Sequence, residues 1–185
     1  MIKNIVEIHI VSVNNECKEV LIVAERNSID SEIKIVTINF NKETRELFTY
    51  NLSEEQNIVI GEATAIEEYL YEPNKSILKS GAFKCVAMRY NSLPIGINSH
   101  LYTSSTHIEE FPGRGFRVIK CIDFTSKWIK QAKKEYPKAN ITTRNFPLSV
   151  AEIRKSSKIA EGGEIYLFAT TIGQNRKVIV ECRKV

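Results

Sequence analysis

Gly115-Phe-Arg-Val-Ile-Lys-Cys-Ile-Asp-Phe124 and then Ser126-Lys-Trp-Ile-Lys-Gln-Ala-Lys-Lys-Glu-Tyr136 decide the fold class. In the first run Phe116, Val118, Ile119, Ile122 and Phe124 predict a strand over 115–124. In the second, Trp128, Ile129, Ala132 and Tyr136 recur at helical spacing and predict a helix with those four on its core face. Working outward, 139–146 reads as a short strand. Ser149-Val-Ala-Glu152 is a capping box, with Leu148 and Ile153 placed as a hydrophobic staple. Gly162-Gly163 ends the loop after that helix, and 164–172 and 176–184 read as a hairpin about Gly173-Gln174-Asn175. The order β-α-β-α-β-β predicts an α+β layer with helices on one side of a sheet.

Upstream, Val6, Ile8 and Ile10 alternate with Glu7 and His9, a strand with one wet face. Asn14-Asn15 predicts a tight turn, because Asn tolerates positive φ. The return strand, 17–25, is apolar on both faces from Val20 to Ala24 and is therefore expected to be an inner strand. Two more strands are expected at 33–40 and 45–50, then an acidic loop with a short helical turn over 51–72. Asn74, after Glu72-Pro73, is an N-cap. One helix is expected to follow, with a stripe at Ile77, Leu78, Gly81, Ala82, Cys85 and Val86 and a second at Phe83, Ala87 and Tyr90. A strand is expected around His100–Tyr102.

The chain has 185 residues, 43% of them apolar, which suffices for a real core. No apolar run approaches a membrane span, and the first residues lack a signal-peptide pattern, so a cytoplasmic protein is expected. The net charge of +4 hides an asymmetry. Residues 1–70 carry 6 basic and 13 acidic side chains, and residues 71–185 carry 20 and 9. An acidic front and a basic rear are expected to face different partners, the basic part a nucleic acid, the alternative being that the two surfaces dock on each other. Cys17, Cys85, Cys121 and Cys182 form no CxxC pair and have no His at ligand spacing, so they read as four small buried hydrophobes with no metal site.

No dinucleotide fingerprint, P-loop, HExxH or GxSxG motif is present, and no catalytic residues are assigned. His9 reads as a solvated strand residue, and His100 and His107 lack a third ligand or a nucleophile partner. Gly113-Arg114-Gly115 reads as a turn and a weak phosphate cradle. The basic residues carry more. Lys127, Lys130 and Lys134 line one side of the 126–136 helix, opposite Trp128, and Lys133 flanks them. Like charges at this spacing repel by about 0.2–0.5 kcal/mol per pair, which a phosphate backbone would relieve. Arg144, Arg154, Lys155 and Lys158 extend the set, with Arg114 and Arg117 as outliers.

Three stretches resemble the C-terminal half of a family of bacterial class I SAM-dependent methyltransferases known from Bacteroidetes. They are Val6-Glu-Ile-His-Ile-Val-Ser-Val-Asn-Asn-Glu-Cys-Lys-Glu19, Leu70-Tyr-Glu-Pro-Asn-Lys-Ser-Ile-Leu-Lys-Ser-Gly-Ala-Phe83, and Ala139-Asn-Ile-Thr-Thr-Arg-Asn-Phe-Pro-Leu-Ser-Val-Ala-Glu-Ile-Arg-Lys155 with Tyr166-Leu-Phe-Ala-Thr-Thr171. The resemblance implies an α+β chain with a ferredoxin-like part and connecting helix at 1–112 and a THUMP-like α/β layer domain at 113–185. It implies that the methyltransferase domain, which binds SAM, precedes residue 1 or acts in trans. Neither a glycine-rich cofactor loop nor an Asn/Asp-Pro-Pro-Tyr tetrapeptide occurs here, so no cofactor is expected in this chain. THUMP domains generally present RNA to a modifying domain. The expected function is thus binding of structured RNA, tRNA or rRNA, by phosphate contacts that read shape. The alternatives are a structural or dimerisation module without RNA contact and a self-standing enzyme.

Overall fold

The computed structural model describes residues 3–26, 32–96 and 98–185. The chain forms two compact units. One holds Met1–Ile60, Pro73–Asn91 and Glu110–Gly113, and the other Gly61–Glu72, Ser92–Glu109 and Arg114–Val185. The expected parts 1–112 and 113–185 are contiguous. The compact units are not, because the chain enters the second at 61–72 and 92–109 before reaching residue 114.

The first unit contains a four-stranded sheet of β1 (Ile5–Val13), β2 (Glu16–Ala24), β3 (Lys34–Phe40) and β4 (Arg45–Asn51), in the order β2-β1-β3-β4. Asn14 and Asn15 turn β1 into β2 with φ of 49° and 60°, both positive as a two-residue hairpin requires. β1 runs parallel to β3 on its other side. That pairing leaves β2 at the edge, which corrects the inner-strand expectation. Val20, Leu21, Ile22 and Val23 are 59%, 50%, 44% and 41% exposed. An apolar pattern on both faces cannot distinguish an inner strand from an edge strand with bare faces.

Three short helices follow: α1 (Leu52–Asn57), α2 (Lys75–Ser80) and α3 (Phe83–Arg89). The single helix expected after Asn74 is therefore two. Gly81 ends α2 in the left-handed region, at φ 81°. Its amide closes on the Ile77 carbonyl at 3.2 Å. The new N-terminus of α3 is capped from elsewhere, by the Glu55 carboxylate, which accepts from the Lys84 amide at 2.8 Å and the Cys85 amide at 2.8 Å. Asn74 caps α2 as expected, accepting from the Ile77 amide at 3.1 Å.

The second unit is built on a seven-stranded sheet. Its strands are β5 (Tyr69–Pro73), β6 (Leu93–Pro94), β7 (Tyr102–Ser104), β8 (Gly113–Asp123), β9 (Asn140–Arg144), β10 (Ile165–Ile172) and β11 (Arg176–Lys184), in the order β6-β7-β5-β8-β11-β10-β9. β9 is parallel to β10, whereas β11 is antiparallel to β10 and β8. Two helices, α4 (Ser126–Glu135) and α5 (Val150–Ser157), complete the predicted β-α-β-α-β-β order. β5 and β6 were not foreseen: β5 lies at the end of the stretch read as loop, and β6 has two residues.

The two sides of this sheet bury different sets of residues, and period-two alternation in β10 and β11 sorts them. Leu167, Ala169 and Ile179 join Trp128, Ala132 and Tyr136 of α4 and Ile153 of α5 in one core. Phe168, Val178, Val180 and Cys182 point the other way, onto Phe116, Leu70, Ile95 and Leu101. Each such large side chain contributes about 1.5–3 kcal/mol when fully buried. Both helices therefore lie on one side. Gly115 is a glycine for a packing reason, since a Cβ there would stand 3.2 Å from the Tyr71 ring.

Candidate nucleic-acid interface

α4 begins at Thr125, whose hydroxyl accepts from the Trp128 amide at 3.2 Å. Trp128, Ala132 and Tyr136 then face the sheet and are buried. The helical period turns Lys127, Lys130 and Lys134 to the opposite side, and all three are exposed. None of their three ammonium groups makes a hydrogen bond or ion pair among the described residues. The acid of this helix, Glu135, turns back to pair with Lys120 on β8. Lys120 also lies 3.2 Å from Glu181, which accepts from the Tyr136 hydroxyl at 2.6 Å. The hydrogen bond to Glu135 holds Lys120 well above the ordinary lysine range. The carboxylates near α4 are thus engaged on its flank, and its outward row keeps its charge. Lys127 also sits in the first turn, where the helix dipole disfavours a cation.

α5 lies beside α4 and starts where the capping box placed it. The Ser149 hydroxyl accepts from the Glu152 amide at 3.3 Å, and the Glu152 carboxylate accepts from the Ser149 amide at 2.7 Å. Leu148 and Val150 pack on the core around Ile153. Lys155 faces outward and is exposed. Lys158 is exposed too and caps the helix in the left-handed region at φ 59°. Lys133 folds onto the Pro137 carbonyl at 3.2 Å but stays exposed.

The other four predicted contacts part from this layer. Arg154 turns inward, donating to the Ile159 carbonyl at 3.2 Å and the Ala139 carbonyl at 3.1 Å, so it braces the loop after α5. Arg114 and Arg144 both bind Glu72, a carboxylate only 3% exposed. Arg144 Nε donates to one oxygen at 2.8 Å and Arg114 Nε to the other at 2.9 Å. Gly113-Arg114-Gly115 is accordingly strand rather than a turn, and its arginine faces a carboxylate rather than a phosphate. Arg117 stays exposed on β8, opposite Arg183 of β11.

Sequence reasoning missed Glu72, whose partners lie 42 and 72 residues away and leave no local signal. Among the described residues the two buried thiols are held protonated. Burial raises the Cys85 thiol to about 12, helped by the Glu55 hydrogen bond, and raises Cys182 as well. All four cysteines are free, but only Cys85 and Cys182 are buried; Cys121 is exposed and Cys17 half-buried, which corrects the reading of four buried thiols. Among the described residues no three His, Cys, Asp or Glu side chains converge as metal ligands, and no helix is long and apolar enough to cross a membrane. The outward side of α4 and α5 can hold an anion by charge alone.

Residues 113–184 match the THUMP domain-like family model, and residues 69–112 match a ferredoxin-like domain model. The crystal structure of a proposed methyltransferase from Porphyromonas gingivalis is similar over 98% of this chain, with 40% identity and a TM-score of 0.93. The present chain covers 46% of that one, so it spans about half the length of this relative. No curated protein matches the chain.

Proposed function

We propose that this chain, a ferredoxin-like domain at 69–112 followed by a THUMP-like domain at 113–184, binds structured RNA and presents it to a methyltransferase domain in cis or in trans. The observation that carries the reading is the row Lys127, Lys130 and Lys134, exposed and unopposed on α4 beside Lys155 of α5. Phosphates would neutralise that row and release counterions. Lys133, Lys158 and Arg117 add exposed charge to the same domain. Contacts of this type position a backbone and recognise shape, which suits a folded tRNA or rRNA. The similarity to a proposed methyltransferase more than twice as long supports a division of labour, in which SAM and the chemistry belong to the other domain. A cytoplasmic setting fits four free cysteines.

The experiment is titration of a hairpin RNA with wild-type chain and with a Lys130→Glu/Lys134→Glu variant. Wild type is expected to bind, and the variant to lose about tenfold or more in affinity. Equal affinity of the two proteins would refute the reading. A structural or dimerisation module without RNA contact is favoured by a different observation, the exposed apolar edge of β2 from Val20 to Val23. Salt-indifferent or absent RNA binding would select it.

A further inference from the structure

β2 lacks the devices that keep a sheet edge from pairing: charge, proline or an irregular register. From Val20 to Ala24 it carries no charged residue and no proline, and its pairing with β1 is unbroken from Glu19 to Val23. Its side chains are bare on both faces. Val20 pairs with Ile10 and Ile22 with Ile8, so both share the face that holds the core. Yet Ile10 is 4% exposed and Val20 59%. The core therefore stops one strand short of β2. Leu21 pairs with His9 and Val23 with Glu7, and both stand exposed on the other face. That face continues across the sheet through Val13 and Phe40 to Leu47, all exposed as well. β4, the opposite edge, is built as an edge strand. Phe48 and Tyr50 alternate into the core at 3% exposed, and Arg89 donates to the Thr49 carbonyl at 2.6 Å.

We infer that β2 is the inner strand its apolar pattern describes, in a sheet completed by the methyltransferase domain. A strand of that domain pairs with the open edge, and its apolar layers cover both faces.

Two facts select this occupant. The longer relative matches 98% of this chain with a TM-score of 0.93, and more than half of the relative lies outside the match, so a body large enough to cover β2 accompanies this region there. A second copy of this chain, paired edge to edge, would satisfy the backbone of β2 but stack no layer over Val20 and Ile22 or over Leu21 and Val23. Exposure on two faces, and not only at the edge, is what a domain relieves and a second copy does not.

The inference deepens the reading above by naming where the methyltransferase domain attaches, and it takes the partner's identity from that reading. Its test contains no RNA, so either can fail alone. Hydrogen exchange is compared in this chain, kept dilute, and in the full chain of the Porphyromonas relative. In the relative, protection of the strand matching Glu16–Ala24 should exceed that of β2 here by about tenfold or more, with little change in the strand matching β3. Equal protection of β2 and its match overturns the inference. Replacing the relative's residue that matches Leu21 by lysine should lower its urea midpoint, whereas Leu21→Lys leaves the midpoint of this chain nearly unchanged. A relative that tolerates the lysine also overturns it. So does a dimer of this chain that Leu21→Lys abolishes while the relative's strand exchanges fast, which would give the edge to a second copy.

Discussion

Arg144 donates from Nε to the Glu72 carboxylate at 2.8 Å across 72 residues of sequence. Arg114 takes the other oxygen, so one buried carboxylate carries two guanidiniums. Glu72→Gln removes the buried carboxylate and leaves two guanidiniums that solvent partly screens, their side chains 37% and 24% exposed. It should therefore lower stability by about 1–3 kcal/mol, the size of lost hydrogen bonds to a charged group, in urea unfolding, through a smaller midpoint at unchanged slope. A loss below about 1 kcal/mol would place the triad among exposed, weakly coupled pairs.

The same triad makes stability depend on acid. Burial raises the Glu72 pKa, but the charges of Arg114 and Arg144 and their hydrogen bonds outweigh it and hold the group below its ordinary 4.5. The folded protein thus binds this proton less readily than the unfolded chain. The contribution is whole above the ordinary value and is lost as pH falls through the folded pKa. Urea midpoints measured from pH 6 downward should converge for wild type and Glu72→Gln in acid. Parallel curves would contradict the assignment.

Ser149 and Glu152 satisfy each other's backbone amides at the start of α5. Ser149→Ala should cost about 0.5–2 kcal/mol and leave the core intact. Because α5 carries Lys155, hydrogen exchange at the amides of the first turn should speed up more than exchange in β10. Uniform acceleration across the domain would argue against a local cap.

Leu21 is 50% exposed on the edge strand β2. Leu21→Lys should change stability by no more than about 0.5 kcal/mol and should reduce self-association at high concentration, because a lysine on an edge discourages strand addition. Sedimentation velocity measures the second effect. A large loss of stability would mean that Leu21 is covered.

The period-two and helical patterns of 115–184 make that layer legible, because its helices are amphipathic against one core and its strands alternate between that core and a second on the other side of the sheet. Asn14-Asn15, Asn74 and Ser149 were legible for a local reason: their side chains or φ preferences act within three residues. The break at Gly81 was hidden because the acceptor that starts α3 is Glu55, which is distant in sequence. The position of β2 was hidden because pairing order depends on β3, not on β2. The candidate site divides the same way. Helical spacing alone fixes which side Lys127, Lys130 and Lys134 share, and the structure keeps them there. Arg114, Arg144 and Arg154 read as free cations until their partners, Glu72 and the carbonyls of Ala139 and Ile159, come from other parts of the chain.

The affinity of a folded RNA hairpin, followed by anisotropy from low to physiological salt, bears most directly on the cationic row of α4. Wild type should give a steep linear fall of log affinity with log salt. The Lys130→Glu/Lys134→Glu variant should bind more weakly at every salt concentration, with a slope smaller by roughly one for each lysine removed. Superimposable lines for the two proteins would contradict the account.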